Sequence, residues 1–177
     1  MVYRVALVGH SQLPEIDDYD NVEFEHFKIR GARISTFEES EYFDYICSNA
    51  WNCVIIFLGG NDLCDHHSAD QVVNDLLNFV DQTRARTVLV TKIEKRTYRR
   101  ALERRYNTTT VEYNSLANTA NNKLRRRERS RGTFHLIHCP PAYNLNSIDQ
   151  GIHFDEIATR SLINRYEGAI RNARKDD

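Results

Sequence analysis

Five short runs of apolar residues, rich in β-branched side chains, are spread along the chain, and each has the length of one β-strand. They are YRVALVG (3–9), VEFEHFKIRG (22–31), NCVIIFLGG (52–60), TVLVTKI (87–93) and TFHLIHCP (133–140). The second run alternates apolar and polar residues, which is typical of an edge strand. The other four are more uniformly apolar and predict strands that are buried on both faces.

Between these runs lie segments with helical periodicity. The clearest is SADQVVNDLLNFVDQTRA (68–85), in which apolar residues recur at helical spacing after Ser68, a suitable N-cap. The same periodicity predicts helices over 111–128 and 155–173 and a short helix over 36–49. Strands that alternate with helices at this spacing indicate βαβ units, so the sequence predicts an α/β protein with a parallel sheet covered on both faces.

Length and composition fit one domain over residues 1–177, because a chain of this size can bury a core without disulfides or a structural metal. The sequence contains no apolar run long enough to span a membrane, and its N-terminus lacks the pattern of a secretory signal. We therefore expect a cytoplasmic protein without a transmembrane segment. The four cysteines, Cys47, Cys53, Cys64 and Cys139, form no C-x-x-C pair and are predicted to be buried free thiols.

The strand ends carry the candidate chemistry, because functional groups of parallel sheets gather in the loops after the carboxyl ends of strands. Ser11 follows the first strand, Gly31 the second and Asn61 the third, while His153 precedes the last helix. Each residue alone is typical of an ordinary turn or helix start. Together they provide what acyl transfer requires: Ser11 as nucleophile, His153 as base, and an oxyanion hole made by the backbone N–H groups of Ser11 and Gly31 and the amide of Asn61.

The motifs that contain these residues resemble those of the SGNH (GDSL-type) hydrolase family. They are GHS near the N-terminus, RGAR, FLGGNDL and GIHFDEIA, in that order. The resemblance implies a three-layer sandwich with a five-stranded parallel sheet in the flavodoxin-like order 2-1-3-4-5. It also assigns Ser11, Gly31, Asn61 and His153 as the four residues that name the family. Within the family, HS, FLGGNDL and the terminal RYEGAIR are most similar to compact SGNH domains encoded by animal retroelements.

Two positions depart from the family pattern. His10 replaces an aspartate that mainly shapes the first loop. Gln150 stands where the family's D-x-x-H motif places the carboxylate that orients the histidine, and Asp149 lies one residue earlier. Either Asp149 completes a displaced triad, or a backbone carbonyl or the Gln150 amide holds His153 in a Ser–His dyad. Loss of the carboxylate contact costs about 10⁴ in rate in a full triad, so the second arrangement predicts reduced activity.

Charge is distributed unevenly although the formal net charge is only −1. Residues 1–83 hold 4 Lys/Arg and 15 Asp/Glu, whereas residues 84–132 hold 15 Lys/Arg and 4 Asp/Glu. One interpretation of the basic segment is a solvated helical face on which Glu94, Glu103 and Glu128 pair with neighbouring cations. The other is an electrostatic site for phosphate-bearing partners, either single-stranded nucleic acid or anionic lipid headgroups, formed by the clustered arginines Arg99, Arg100, Arg104, Arg105, Arg125, Arg126 and Arg127.

A metal site is not predicted, and no cofactor is expected. The segment NDLCDHH (61–67) contains thiol, carboxylate and imidazole groups, but adjacent histidines seldom reach one ion and no second cluster completes a tetrahedral set. Two functions follow from the sequence: a serine esterase or acyl hydrolase acting on small or lipid-like esters, and a catalytically weakened binding module that uses its basic face.

Overall fold

A computed structural model describes residues 2–96, 108–140 and 154–175, and it contains one five-stranded parallel sheet. The strand order is β2-β1-β3-β4-β5, which confirms the predicted fold class and order. The strands are β1 (Tyr3–Gly9), β2 (Val22–Lys28), β3 (Trp51–Phe57), β4 (Ala85–Thr91) and β5 (His135–Ile137). All neighbouring strands are parallel, so the loops that follow them lie at one edge of the sheet.

Six helices among the described residues cover the sheet. They are α1 (Ile34–Glu38), α2 (Glu41–Ser48), α3 (Gly60–Cys64), α4 (Ala69–Gln82), α5 (Thr110–Arg131) and α6 (Glu156–Ala173). The predicted N-cap of α4 is confirmed, because the side chain of Ser68 accepts a hydrogen bond from the backbone N–H of Gln71 over 3.1 Å.

The single helix predicted over 36–49 is wrong, because the chain breaks between α1 and α2. Ser40 adopts an extended conformation there, with ψ of 155°, and its hydroxyl donates to the carbonyl of Phe37 over 2.6 Å. A serine that bonds locally to the backbone in this way competes with helix continuation. Periodicity could not reveal the break because both short helices turn an apolar face to the same core.

Two apolar layers bury the two faces of the sheet, as expected for strands with continuous apolar sequence. In β1, Ala6 and Val8 pack into the layer beneath α1, α2, α4 and α5, whereas Val5 and Leu7 pack into the layer beneath α6. This alternation places helices on both faces and gives the predicted three-layer sandwich. The hydroxyl groups of Thr91 and Tyr166 lie 2.6 Å apart and connect the end of β4 to α6.

β5 differs from its prediction as a buried strand. It has only three residues and lies at the edge of the sheet, where His135 is exposed and only Ile137 is buried. The apolar run TFHLIHCP predicted too long a strand, because Phe134 lies just outside β5 and packs into the α5 side of the core. The predicted edge position of β2 is confirmed.

All four thiols are free, as predicted, but only Cys53 and Cys64 are buried, whereas Cys47 and Cys139 are half-buried. Burial raises the pKa of the Cys64 thiol to about 11, so it is protonated at neutral pH. Among the helices that the structure describes, none is both long and apolar enough to cross a membrane.

Candidate active site at the carboxyl edge of the sheet

Ser11 lies in a tight turn that begins where β1 ends. The backbone N–H of Leu13 donates to the carbonyl of His10 over 3.0 Å, so Ser11 and Gln12 are the central residues of the turn. The turn is pressed against β3, because a Cβ atom at Gly9 would lie 2.8 Å from the carbonyl oxygen of Phe57. Glycine is therefore required at the position that brings Ser11 to the sheet edge.

A depression of about 470 Å³ opens beside this turn. Its walls combine the turn with the end of β2 and the start of α6, and its lining includes Ser11, Lys28, Arg30, Phe154 and Thr159. Phe154 is half-buried and stacks on Phe57 with a centroid separation of 6.1 Å and an angle of 16° between the rings. The half-buried Ser11 thus borders an open space of the size expected for a small ligand.

Gly31 lies in a second turn, after β2. Its φ of +71° is in the left-handed region, and the N–H of Ala32 donates to the carbonyl of Ile29 over 3.1 Å. This combination is typical of a type II turn, which needs a glycine at its third position. No atom outside the immediate chain lies within 4 Å of a Cβ built on Gly31, so this part of the turn faces open space.

Asn61 lies in the first turn of α3, directly after β3. Gly59 has a φ of +103° at the start of this helix and turns the chain out of the strand. The side-chain nitrogen of Asn61 donates to the carbonyl of Ala32 over 3.0 Å. The loop that contains Asn61 is therefore bonded to the loop that contains Gly31.

The structure thus places Ser11, Gly31 and Asn61 after the carboxyl ends of three adjacent strands, as the sequence predicted. Their roles as nucleophile and oxyanion donors remain predictions. His153 and Asp149, with Gln150, lie outside the described residues.

A buried ion pair lies behind this site, in the loop after β4. Arg96 is 2% exposed and Glu94 is 1% exposed. Arg96 donates to Glu94 Oε1 from Nε over 3.3 Å and from Nη2 over 3.1 Å. Arg96 Nη2 also donates to Asn61 Oδ1 over 3.2 Å, Nη1 donates to the sulfur of Cys64, and the guanidinium lies 4.7 Å from the ring centroid of Tyr113.

The electrostatics of this pair favour the charged state of Arg96. Burial by itself lowers the pKa of the guanidinium, but Tyr113 and Glu94 beside it raise the pKa above its ordinary value. A buried charge is tolerated when it is paired, and Glu94 Oε1 accepts two hydrogen bonds from the Arg96 guanidinium. The pair is therefore a fixed ionic element of the site.

Two residues of the Ser11 turn contact the same carboxylate. The side-chain nitrogen of Gln12 donates to Glu94 Oε1 over 3.2 Å, and His10 Nε2 lies 4.0 Å from Glu94 Oε2. The ring of His10 is buried against Phe57, and its Nδ1 accepts from the backbone N–H of Gln12 over 3.3 Å. His10 is therefore bonded within the turn through Nδ1 and faces Glu94 through Nε2.

The prediction for Glu94 as part of a solvated helical face is wrong. Glu94 lies in a loop and is buried because Arg96 and Gln12 supply donors to it. Glu128 is on α5, but its carboxylate accepts from the backbone N–H of Leu136 over 2.7 Å. Glu103 lies outside the described residues.

Sequence reasoning missed Glu94 and Arg96 as site residues. Their only signal was position, since the E-x-R pair follows a buried strand as Ser11 and Asn61 do. Asp62, the residue after Asn61, is buried and accepts a hydrogen bond from the backbone N–H of Ile34 over 3.1 Å. Burial raises the pKa of Asp62, although this hydrogen bond acts in the opposite direction.

The predicted basic surface is described only in part. Arg125, Arg126 and Arg127 are exposed on α5, whereas the other four arginines, Arg99, Arg100, Arg104 and Arg105, lie outside the described residues. On the α4 side of α5 the charges are paired, because Lys123 lies 2.6 Å from Asp70 and Arg131 lies 3.1 Å from Asp81. This side fits the interpretation as a solvated, ion-paired helical face.

A second group of cations lies where β4 and β5 end. Lys92 Nζ is 3.2 Å from His138 Nδ1, and Arg165 Nη1 donates to the carbonyl of His138 over 3.0 Å. Burial, together with Arg125, lowers the pKa of Lys92. Burial, Lys92 and Arg165 likewise lower the pKa of His138 below its ordinary value of 6.5. The cations Lys92, Arg125 and Arg165, which surround His138, are called the rim cation cluster.

Solved structures with the same fold include several esterases. The chain is similar to the inhibitor-bound aryl esterase of M. smegmatis, with 14% identity, a TM-score of 0.73, and coverage of 97% of this chain and 100% of that one. It is also similar to a carbohydrate esterase family 3 protein from Talaromyces cellulolyticus, with 12% identity, a TM-score of 0.73, and coverage of 99% and 100%.

A member of the lipolytic protein G-D-S-L family from Veillonella parvula DSM 2008 has 12% identity and a TM-score of 0.70, with 93% of this chain and 96% of that chain covered. At these identities the likeness establishes the fold alone. Among curated proteins, none matches the sequence.

The family model for GDSL-like lipase/acylhydrolase matches residues 5–167, which include the turn of Ser11, the loops of Gly31 and Asn61, and the segment that contains His153. This match extends over most of the chain and agrees with the fold. The chain therefore belongs to the GDSL-like lipase/acylhydrolase family.

Proposed function

We propose that this protein hydrolyses small or lipid-like carboxylic esters with Ser11 as the nucleophile. The Ser11 oxygen attacks the ester carbonyl carbon while His153 accepts the serine proton. The resulting oxyanion accepts hydrogen bonds from the backbone N–H groups of Ser11 and Gly31 and from the Asn61 amide. Collapse of this intermediate breaks the ester C–O bond, and His153 returns the proton to the departing alcohol. Water then hydrolyses the acyl-serine by the same steps.

One observation carries the proposal: Phe154 lines the same depression as Ser11. Phe154 is the next residue in the chain after His153, and it is anchored by stacking on Phe57 at the end of β3. The base is thus proposed from a segment whose adjoining residue lines the same depression as the nucleophile. The family match over both motifs supports the same pairing.

The depression supports an ester substrate of modest size. Its lining combines the apolar residues Leu13, Pro14 and Phe154 with polar and charged residues, which are Ser11, Gln12, Glu15, Lys28, Arg30 and Thr159. The apolar part fits an acyl or aryl group beside the serine. The group that orients His153 is either Asp149 or a neutral acceptor, and in the second case we propose a low rate.

A serine-directed probe tests the proposal. Wild type is incubated with a fluorophosphonate and, separately, with p-nitrophenyl acetate and butyrate. We expect Ser11 to be labelled and both esters to be hydrolysed, and Ser11→Ala to abolish both signals. Ser115→Ala, at an exposed serine of α5, is the matched control and should behave as wild type. Labelling that persists in Ser11→Ala, or a wild type that neither reacts nor hydrolyses, would contradict the proposal.

The rim cation cluster supports a second candidate function, the binding of phosphate-bearing partners. Burial is the largest cause of the lowered pKa values of Lys92 and His138, and the neighbouring cations Arg125 and Arg165 act in the same direction. An added anion would be stabilised beside these like charges. A depression of about 330 Å³ adjoins the cluster, and its lining includes Lys92, Lys95, Asn118, Asn121 and Asn122. Ammonium and amide N–H groups are donors that phosphate oxygens accept.

Binding of fluorescent single-stranded RNA, and of vesicles with and without phosphatidylserine, tests this candidate and separates the two partner classes. Lys92→Ala/Arg165→Ala should weaken the binding of the preferred partner and reduce its salt dependence. Lys123→Ala removes a cation that is already paired with Asp70 and should have little effect. If neither partner binds, or if the Lys92 and Arg165 substitutions change nothing, the candidate is wrong.

A further inference from the structure

Both ends of the Asn61 side-chain amide are bonded to protein groups of opposite kind. Its nitrogen donates to the carbonyl of Ala32 over 3.0 Å, and its oxygen accepts from Arg96 Nη2 over 3.2 Å. A backbone carbonyl can only accept, and a guanidinium can only donate. Rotating the amide by half a turn would set oxygen against oxygen and N–H against N–H. The two neighbours therefore define one orientation of the amide.

We infer that Arg96 is a positioning residue that fixes the Asn61 amide in the orientation needed by the oxyanion hole. The inference rests on the proposed esterase function. An amide nitrogen has two N–H groups, and Ala32 uses one of them. The other is the donor that the proposed oxyanion hole requires. Arg96 keeps this second N–H in position because it bonds the oxygen of the same amide and so prevents the amide from rotating.

Arg96 is itself held firmly enough for this role. Its guanidinium is bonded to Glu94 through two nitrogens and lies over the ring of Tyr113. The side chain of Asn114 bonds both backbone groups of Arg96. The Arg96 N–H donates to Asn114 Oδ1 over 2.9 Å, and Asn114 Nδ2 donates to the Arg96 carbonyl over 2.8 Å. A side chain whose rotamer is fixed by such contacts holds the group that it bonds in a precise position.

The effect of Arg96 is one of orientation rather than net charge. Glu94 lies within hydrogen-bond distance of the guanidinium and compensates its charge, so the pair exerts little net field on a developing oxyanion. Misplacement of a catalytic donor by about 1 Å can cost about 10²-fold in rate. Loss of the Arg96 contact should therefore lower kcat and leave KM nearly unchanged.

Arg96→Lys is the first test, because lysine keeps a cation beside Glu94 but lacks the fork that reaches Asn61. We expect kcat on p-nitrophenyl acetate to fall about 10- to 100-fold with KM nearly unchanged. Arg131→Lys is the matched control, since Arg131 also bonds a carboxylate, Asp81, through two nitrogens, but on the surface. Its kcat should equal that of wild type. An unchanged kcat in Arg96→Lys would overturn the inference.

A double-mutant cycle distinguishes positioning from a general structural role. Asn61→Ala should lower kcat roughly 10²- to 10³-fold, as removal of an oxyanion donor does. If Arg96 acts through Asn61, adding Arg96→Lys to Asn61→Ala should cause no further loss. If the two losses multiply, Arg96 acts elsewhere and the inference is wrong.

The side-chain amide signals of Asn61, identified by their loss in Asn61→Ala, give a readout that does not depend on activity. In Arg96→Lys these ¹⁵N–¹H signals should shift and exchange faster with solvent, whereas Arg131→Lys should leave them unchanged. An inactive wild type would refute the esterase proposal, and the amide signals would still decide the positioning. Should Arg96→Lys fail to fold, Glu94→Gln/Arg96→Met removes both charges and leaves no unpaired carboxylate. Unchanged amide signals in that variant would overturn the inference.

Discussion

The side-chain nitrogen of Gln12 donates to Glu94 Oε1 over 3.2 Å, and both side chains are buried. This bond ties the turn that contains Ser11 to the loop after β4. From Glu94 the connection continues through Arg96 to Asn61. The Asn61 amide in turn reaches Ala32, so the loops after four strands are joined by one chain of hydrogen bonds. Such a network fixes the relative positions of groups that different loops contribute.

Replacing Gln12 by methionine tests the strength of this link. The substitution keeps the volume but removes a donor to a buried carboxylate, so we expect the free energy of unfolding to fall by about 1.5–3 kcal/mol. Gln71→Met is the matched control, because Gln71 makes the same amide-to-carboxylate bond with Asp75, over 2.9 Å, on the exposed surface of α4. It should change stability by less than about 0.5 kcal/mol. Urea unfolding gives the free energy of unfolding of both variants. Equal decreases would show that the buried hydrogen bond stabilises the fold no more than the exposed one.

Gly60 packs against the same carboxylate. A Cβ atom at this position would lie 2.6 Å from Glu94 Oε1 and 2.9 Å from Oε2. Because Arg96 and Gln12 hold the carboxylate, it cannot move aside freely, and Gly60→Ala should destabilise the fold by about 1–3 kcal/mol. Gly168→Ala in α6 is the control. No atom outside its own helix and immediate chain lies within 4 Å of a Cβ there, so higher helix propensity should stabilise by up to about 1 kcal/mol. In thermal unfolding, Gly60→Ala should lower Tm and Gly168→Ala should raise it. Equal shifts in Tm would exclude the clash.

The sheet and three of the site positions were predictable because their signals are local. Continuous apolar runs identify strands buried on both faces, and the polar residues after them, such as Ser11 and Asn61, must then lie at one edge. The same logic failed for β5, where Phe134 contributes apolar sequence without being part of the strand.

The ionic pair behind the site could not be predicted, because its burial depends on distant partners. Gln12 and Glu94 are 82 residues apart, and Arg96 and Asn61 are 35 residues apart. Within a segment dense in lysine and arginine, a lone glutamate resembles a surface ion-pair partner. Only the folded arrangement shows that Glu94 and Arg96 are paired in the interior instead.

The rim cation cluster predicts a low pKa for His138. Burial, Lys92 and Arg165 all disfavour its protonated form, so its pKa in the folded protein lies below 6.5. The unfolded chain therefore binds this proton more readily, and the stability contribution of His138 is complete above pH 6.5 and declines as the pH falls toward the folded pKa. The pKa of His138 is measured by following its imidazole NMR signals as a function of pH. Lys92→Met should raise this pKa and Lys123→Met should leave it unchanged. A pKa above 6.5 in wild type would contradict the predicted effect of the cluster on His138.

The last prediction concerns the group that orients His153. Gln150 stands where the family has an aspartate, and moving the carboxylate to Asp149 changes the direction in which the side chain leaves the loop. We therefore expect a Ser–His dyad in which a neutral acceptor fixes the tautomer of His153 but stabilises its cation less than a carboxylate does, because charge-assisted hydrogen bonds are about twice as strong. On this basis Gln150→Asp should raise kcat on a short-chain ester, by some part of the roughly 10⁴-fold that the contact is worth in a full triad. Asp149→Asn should leave kcat near the wild-type value. The opposite pair of results, a loss in Gln150→Asp and an inactive Asp149→Asn, would show that Asp149 already completes the triad.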